Sequence, residues 1–216
     1  MTLKIMLELD DRELFVLCGK KDSLEFKNRR FSKLCNNEFF WEKRFINRFG
    51  KLAGSYKPKD RSWKKHYLTV VIQLDEFKGY EWEFFNYLIW SIRKTPENSK
   101  IKYDGYSFPL DKAEESLHNA FWMLELGKDI TISYPIDKRG ELKYINVNYK
   151  DEMNFTPGKV LKLIYDFYQE KVSEDDLDTD LSFEDDEELK RVDLMEGLTS
   201  FDGFTNKNGV KVLSLY

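Results

Sequence analysis

Apolar residues recur at helical spacing through the first third of the chain and alternate with polar ones further on. "DDRE" at 10–13 reads as a capping box, with Asp10 and Glu13 exchanging side-chain bonds to each other's amides. Leu14, Leu17 and Cys18 then fall on one face. Phe31, Leu34 and Cys35 of "NRRFSKLC" follow the same period. Asn36 or Asn37 is placed to cap a third helix that carries Phe39, Phe40, Trp41, Phe45, Ile46 and Phe49, with Gly50 as its stop. After a Gly/Pro/Lys loop over 50–59, Asp60 is expected to cap "DRSWKKHYLTVVIQL", where Trp63, Tyr67, Val70 and Val71 are in phase.

Beyond this point the pattern is mixed. "YEWEFFNYLIWSIRK" is apolar nearly all round, which predicts a buried helix. "KIKYDGYSF" predicts a short hairpin turning at Asp104–Gly105. "DKAE" at 111–114 reads as a second capping box, leading into a stripe of Ala113, Leu117, Ala120, Phe121 and Leu124. "KDITISYP" and "ELKYINVNY" alternate on either side of "IDKRG", a hairpin signal. Thr156 and Pro157 suit the N-cap and first position of a helix with Val160, Ile164 and Phe167 on one side. "GVKVLSLY" predicts a closing strand. The class expected is α+β, a short-helix module followed by a mixed domain of helices and antiparallel hairpins. The expected division is a helical module at 1–68, a linking helical region at 69–95 and an α+β recognition domain at 96–216 with an acidic loop at 174–188.

Composition sharpens this reading in one respect. Aromatics make up 16% of the 216 residues, with 17 Phe and 12 Tyr, more than a core of this size requires, so part of the surplus is expected at an interface. No apolar run approaches the roughly 20 residues needed to span a bilayer, and the N-terminus lacks the order of a signal peptide. Two cysteines, Cys18 and Cys35, make neither a disulfide scaffold nor a zinc site. A reducing compartment, cytoplasm or nucleus, is therefore expected. The net charge of −4 hides an asymmetry. Residues 1–67 hold 17 Lys/Arg against 9 Asp/Glu, while 174–188 hold ten acids and no base. The basic residues are scattered rather than striped and no nucleic-acid signature accompanies them, so a nucleic-acid partner is not expected.

Candidate chemistry is sparse. His66 and His118 are the only histidines and neither stands in a catalytic frame, so both read as structural or surface residues. No phosphate loop is present, no pair of carboxylates is marked by spacing, and neither an enzyme nor a cofactor is expected. The run from Asp176 places Asp176, Asp178, Asp180 and Glu187 as in an EF-hand calcium loop, with Phe183 at the apolar eighth position. Leu181 stands at the sixth, where the turn favours Gly. A solvated acidic loop, or a phosphorylatable linker at Ser173 or Ser182, fits the run better.

The N-terminal blocks, taken in order, resemble an F-box domain. They are Leu9-Asp10 with Leu14, then Arg30-Phe31 with Leu34-Cys35, then Phe40-Trp41 with Arg44, followed by Ser62-Trp63-Lys64 with Tyr67. The match covers about residues 1–68. Two features depart from the family pattern: the opening helix is truncated and lacks its Leu-Pro pair, and "GKKDSLEFKN" lengthens the first joint. "FTPGKVLKLIYDFYQEKV", "LMEGLTSFDGF" and "GVKVLSLY" resemble C-terminal regions of F-box-like proteins of large DNA viruses. The resemblance implies a protein that recruits substrates, docking on the Skp adaptor of a cullin–RING ubiquitin ligase while its second domain holds a protein target. The adaptor-binding residues it implies are Leu9, Leu14, Phe31, Leu34, Phe39, Phe40 and Trp41. Phe40 and Trp41 lie about 100° apart on a helix, so one is expected in this chain's core and the other against a partner. The competing expectations are an interaction protein whose F-box-like helices pack internally, and a calcium-binding protein.

Overall fold

The computed structural model describes residues 3–19, 33–138, 141–173, 189–195 and 197–216. Phe31, most of the "GKKDSLEFKN" joint and the acidic run with its EF-hand-like spacing lie outside the described residues. The class is α+β, and the chain divides into two compact units, Met1–Ile72 and Gln73–Tyr216.

The first unit is helical. Helix α1 is Leu3–Glu8 and α2 is Asp11–Gly19. A single helical turn at 33–35 leads to α3, Glu38–Ser55, and then to α4, Trp63–Asp75. The α2 capping box forms as the sequence indicates: the Glu13 amide donates to Asp10 Oδ1 (2.8 Å) and the Asp10 amide to Glu13 Oε2 (3.1 Å). Asn37 caps α3 by accepting from the Phe40 amide at 3.3 Å. Gly50 does not end that helix. It takes φ 85° and ψ 167°, a kink open to Gly alone at little cost, and helical turns resume to Ser55. Nor does Asp60 cap α4, which begins three residues later. Ser62 Oγ accepts from the Lys65 amide (3.2 Å), and the Glu38 carboxylate accepts from the Trp63 amide (2.6 Å), so two oxygens from different segments satisfy its first turn.

The second unit corrects the expected linking helix. "YEWEFFNYLIWSIRK" forms a 3₁₀ segment, Glu81–Tyr87, and then an extended stretch beginning with β1, Leu88–Ile89. Leu88, Trp90 and Ile92 are buried at period two while Ile89 is exposed. The backbone is paired accordingly: the Ile92 amide donates to Thr199 O and the Phe201 amide to Trp90 O. An all-round apolar run does not distinguish a buried helix from a buried extended segment, and here long-range pairing decided. Strands β2 (Lys100–Tyr103) and β3 (Tyr106–Pro109) complete a sheet ordered β1-β2-β3. Their tight turn puts Asp104 and Gly105 at positive φ (49° and 80°), the two-residue hairpin that Asp-Gly favours.

The "DKAE" capping box does not form. Asp111 sits in a 3₁₀ turn, Leu110–Lys112, and Glu114 occupies the N-cap of α5 (Glu115–Met123) without a side-chain bond. The larger sheet is built on β4 (Asp129–Lys138) and β5 (Glu141–Lys150), antiparallel from Asp129↔Lys150 to Lys138↔Glu141. Helix α6, Pro157–Gln169, starts at Thr156, whose hydroxyl accepts from the Lys159 amide (3.4 Å). Strands β6 (Phe201–Lys207) and β7 (Val210–Leu215) close the sheet in the order β5-β4-β7-β6, with β7 parallel to β4 at Ile132↔Lys211 and Ser133↔Val212. The core lies between β4 and α6: Ile130, Ile132, Tyr134 and Ile136 are buried, and Tyr134 stacks on Phe167 at 3.9 Å.

Candidate protein-interaction surface

The helical unit is organised around Arg44. Its guanidinium donates to the carbonyls of Met6 (3.3 Å), Leu7 (3.1 Å) and Leu9 (2.7 Å), so it caps the C-terminal end of α1 with a cation. It also donates to Tyr67 Oη (2.9 Å) and Asp11 Oδ1 (2.7 Å). Tyr67 donates to the same Asp11 oxygen at 2.5 Å, and Arg48 bonds the other. One buried side chain from α3 thus ties together α1, the start of α2 and α4. Burial by itself pushes the Asp11 carboxyl upward, but the bonds from Arg44 and Tyr67 and the charges of Arg48 and Arg44 outweigh it and leave the carboxyl below its ordinary value. Burial, with the bond to Asp11, pushes the Tyr67 phenol up.

Beside this network sits an aromatic core. Trp41 donates its indole N–H to the Cys35 carbonyl at 2.9 Å and lies 5.5 Å from the Tyr67 ring. Phe45 contacts Phe49, Trp63 and the fully buried His66, the last at 4.8 Å between centroids. His66 is therefore a core residue. His118, on α5, is half-buried, and that burial lowers its affinity for a proton against the opposing charges of Asp111 and Glu115.

The residues expected to meet an adaptor separate into distinct groups. Leu14, Phe40 and Trp41 are fully buried, and Trp41 is held by contacts within the helical unit. Both adjacent aromatics therefore serve the core, which corrects the expectation that one faces outward. An α-helix buries a stripe wide enough for neighbouring positions when both rings are large. Phe39 is the outward one, 54% exposed, with the Lys43 ammonium 5.4 Å above its ring. Leu9 and Leu34 are half-buried, and Phe31 is outside the described residues. Val16, absent from the expected set, is 51% exposed on α2. Its signal was present in the sequence as an apolar residue off the Leu14–Leu17–Cys18 face.

The cysteines add a feature that their number left open. Cys18, at the end of α2, and Cys35, in the turn before α3, form a disulfide with their Cα atoms 5.4 Å apart. Counting thiols ruled out a scaffold of several bridges but left open a single bridge between segments that the fold brings together.

In the second unit, exposed aromatics gather on the β2–β3 hairpin. Register places Leu88, Ile101 and Phe108 on one face, with Tyr103 and Tyr106 continuing it. Leu88 and Ile101 are buried, while Tyr103, Tyr106 and Phe108 extend past the covered part. Among the described residues no group of three or more His, Cys, Asp or Glu is placed to hold a metal, and no helix is long and apolar enough to cross a membrane. Compared with known proteins, the chain matches no protein-family model, no curated protein and no solved structure.

Proposed function

We propose that the chain is a non-enzymatic interaction protein of the cytoplasm or nucleus. Its F-box-like head docks on the Skp-type adaptor of a cullin–RING ubiquitin ligase, and its second unit holds a protein target. The observation that carries this reading is Phe39, more than half exposed one position before two aromatics that are wholly buried. The head fills its own core with Phe40, Trp41 and Phe45 and still presents a large ring to the outside. Exposed Val16 and half-buried Leu9 and Leu34 support further anchors beside Phe39, and Phe31 stays among those the resemblance implies. Exposed aromatic anchors are what such interfaces draw on most.

The test is direct binding of the full chain to purified adaptor. Phe39→Asp is expected to weaken the complex roughly tenfold or more. A lack of complex with both proteins at micromolar concentration overturns the reading. A second reading is favoured by a specific observation: Leu14, Phe40 and Trp41, three of the seven implied anchors, are fully buried in the absence of any partner. On that reading the helices complete an internal core, and Phe39→Asp changes no partner's affinity.

A further inference from the structure

We propose that the Cys18–Cys35 bridge is a reversible redox staple that holds the docking face of the head in order. The proposal rests on the docking reading above for its consequence, but its mechanism is local to the helical unit. Helix α2 is fastened at two ends by different chemistry. At its N-terminal end Asp11 is held by Arg44 and Arg48 of α3. At its C-terminal end Cys18 is bonded to Cys35, 17 positions later in the chain. The residues of the face lie beside these fastenings: Val16 two positions before Cys18, Leu34 adjacent to Cys35, and Phe39 in the first turn of α3.

Cys35 is also a structural junction. Its carbonyl accepts the Trp41 indole proton, and the neighbouring Leu34 carbonyl accepts the Asn37 amide. Breaking the bridge therefore frees the end of α2 from the segment that seats Trp41 and starts α3. The ion pair at Asp11 cannot substitute for it, since Asp11 and Cys18 are separated by about two helical turns.

The two sulfurs differ in access. The Cys35 side chain is fully buried, at 1% exposure, while Cys18 is half-buried. A small-molecule thiolate can approach Cys18. It attacks Cys18 Sγ, the S–S bond breaks, and the electron pair leaves on Cys35, which takes up a proton. A second thiolate attacks the sulfur of the first, the bond to Cys18 breaks, Cys18 leaves with the electron pair and takes up a proton, and the two small thiols depart joined as a disulfide. The protein bridge is reduced to two thiols, and two small thiols are oxidised. The chain's only two cysteines are both consumed in the bridge, so no third thiol competes for the partner. A compartment rich in reduced thiols favours the open form and oxidation favours the stapled one. The stapled form fixes α2 and the start of α3 in one arrangement, so less ordering is left for the partner to impose.

The test uses the full chain in a series of thiol–disulfide buffers. Three readouts are taken at each poise: free thiols by alkylation and intact mass, melting of the chain, and amide exchange across α2 and 33–39. The expected result is a reversible loss of both thiols on oxidation, with melting of the head raised by roughly 10 °C. Amides at the end of α2 should exchange at least tenfold more slowly in the oxidised chain. Cys18→Ser should behave as the reduced chain at every poise. Binding to purified adaptor is measured alongside, with roughly tenfold tighter binding expected for the oxidised form. Identical melting and exchange in reduced and oxidised chain overturn the staple, whatever the adaptor does. A clear shift in both, with no adaptor bound at either poise, upholds the staple and overturns the docking reading. Equal adaptor binding in the two states, with the shift present, overturns the control of docking and leaves both the bridge and the docking reading standing.

Discussion

The helical unit and the second unit reach stability by opposite routes. In the first, short helices share one buried guanidinium, one carboxylate and one disulfide, so cohesion is concentrated in a few side chains. In the second, a hairpin of two ten-residue strands and two amphipathic helices spread it over many apolar contacts and ladder bonds. Helices as short as α1 are not stable alone, and what holds them is tertiary. Concentrated fastening makes the head sensitive to single chemical events, such as a lost cation, an added proton or a cut bridge. Distributed fastening makes the second unit sensitive mainly to shape.

The largest expected effect tests that concentration. Arg44→Ala leaves the half-buried Asp11 carboxylate with Tyr67 and Arg48 but without its most buried cation, and leaves the carbonyls of Met6, Leu7 and Leu9 without that donor. The loss is expected to be about 3–5 kcal/mol. Amide exchange read unit by unit is the measurement. Protection should fall across α1 to α4 while β4 and β5 keep theirs. An equal fall in both units would break the contrast.

The second unit's counterpart is steric. Gly158, in the first turn of α6, sits so close to α5 that a Cβ would come within 2.9 Å of Phe121 Cε1 and 3.1 Å of the Trp122 ring. Both are ring atoms of packed side chains with little freedom to retreat. Gly158→Ala is therefore expected to cost about 1–3 kcal/mol, although Ala is the better helix former. Denaturant unfolding of the variant checks it, and a gain in stability would show that α5 and α6 yield.

How much of this was legible beforehand depended on whether the deciding interaction was local. The capping box at Asp10–Glu13, the Asn37 and Thr156 caps and the Asp104–Gly105 hairpin are set by residues within a few positions of one another, and they read correctly. The α4 cap was misplaced because one of its oxygens comes from Glu38, 25 residues away. The helix expected over "YEWEFFNYLIWSIRK" is overridden by pairing with residues 199–201. Asn208–Gly209, at positive φ between β6 and β7, carries as plain a hairpin signal as Asp104–Gly105, although only the closing strand after it is expected from the apolar pattern. For the expected anchors on α3, the apolar period predicts the helix but does not separate its exposed ring, Phe39, from the buried Phe40 and Trp41. Nothing local marks Arg44 as buried, since the groups that call it inward are carbonyls about 35 positions earlier.

Acid should separate the units next. The Asp11 carboxyl titrates below its ordinary 3.8 in the folded chain. A depressed folded value contributes stability that is present above the unfolded value and is lost as pH falls through the folded one. The head is thus expected to weaken progressively below about pH 4. Asp151 of the second unit is also lowered, through its bond to Lys159, but the pair is on the surface and worth little. Unfolding followed by exchange between pH 5 and pH 2 should show the head losing protection first, and Asp11→Asn should flatten its acid slope. Parallel loss in both units would remove the distinction.

The smallest effects are expected where both units expose aromatics. Phe39 on α3 and Tyr106 on β3 are 54% and 69% exposed, the first with the Lys43 ammonium over its ring and the second beside Phe108 and across from Tyr103. Little apolar area is recovered from water at either position, so Phe39→Ser and Tyr106→Ser should each change stability by no more than about 0.5 kcal/mol. Trp41→Ala, two positions from Phe39, removes a fully buried indole together with its bond to Cys35 and should cost about 3–5 kcal/mol. Thermal melts of the three variants make the comparison. If Phe39→Ser destabilises as Trp41→Ala does, Phe39 is held by the head's own interior and has no role as an outward anchor. If it leaves the melt unchanged, any loss of partner binding it causes belongs to the surface it forms.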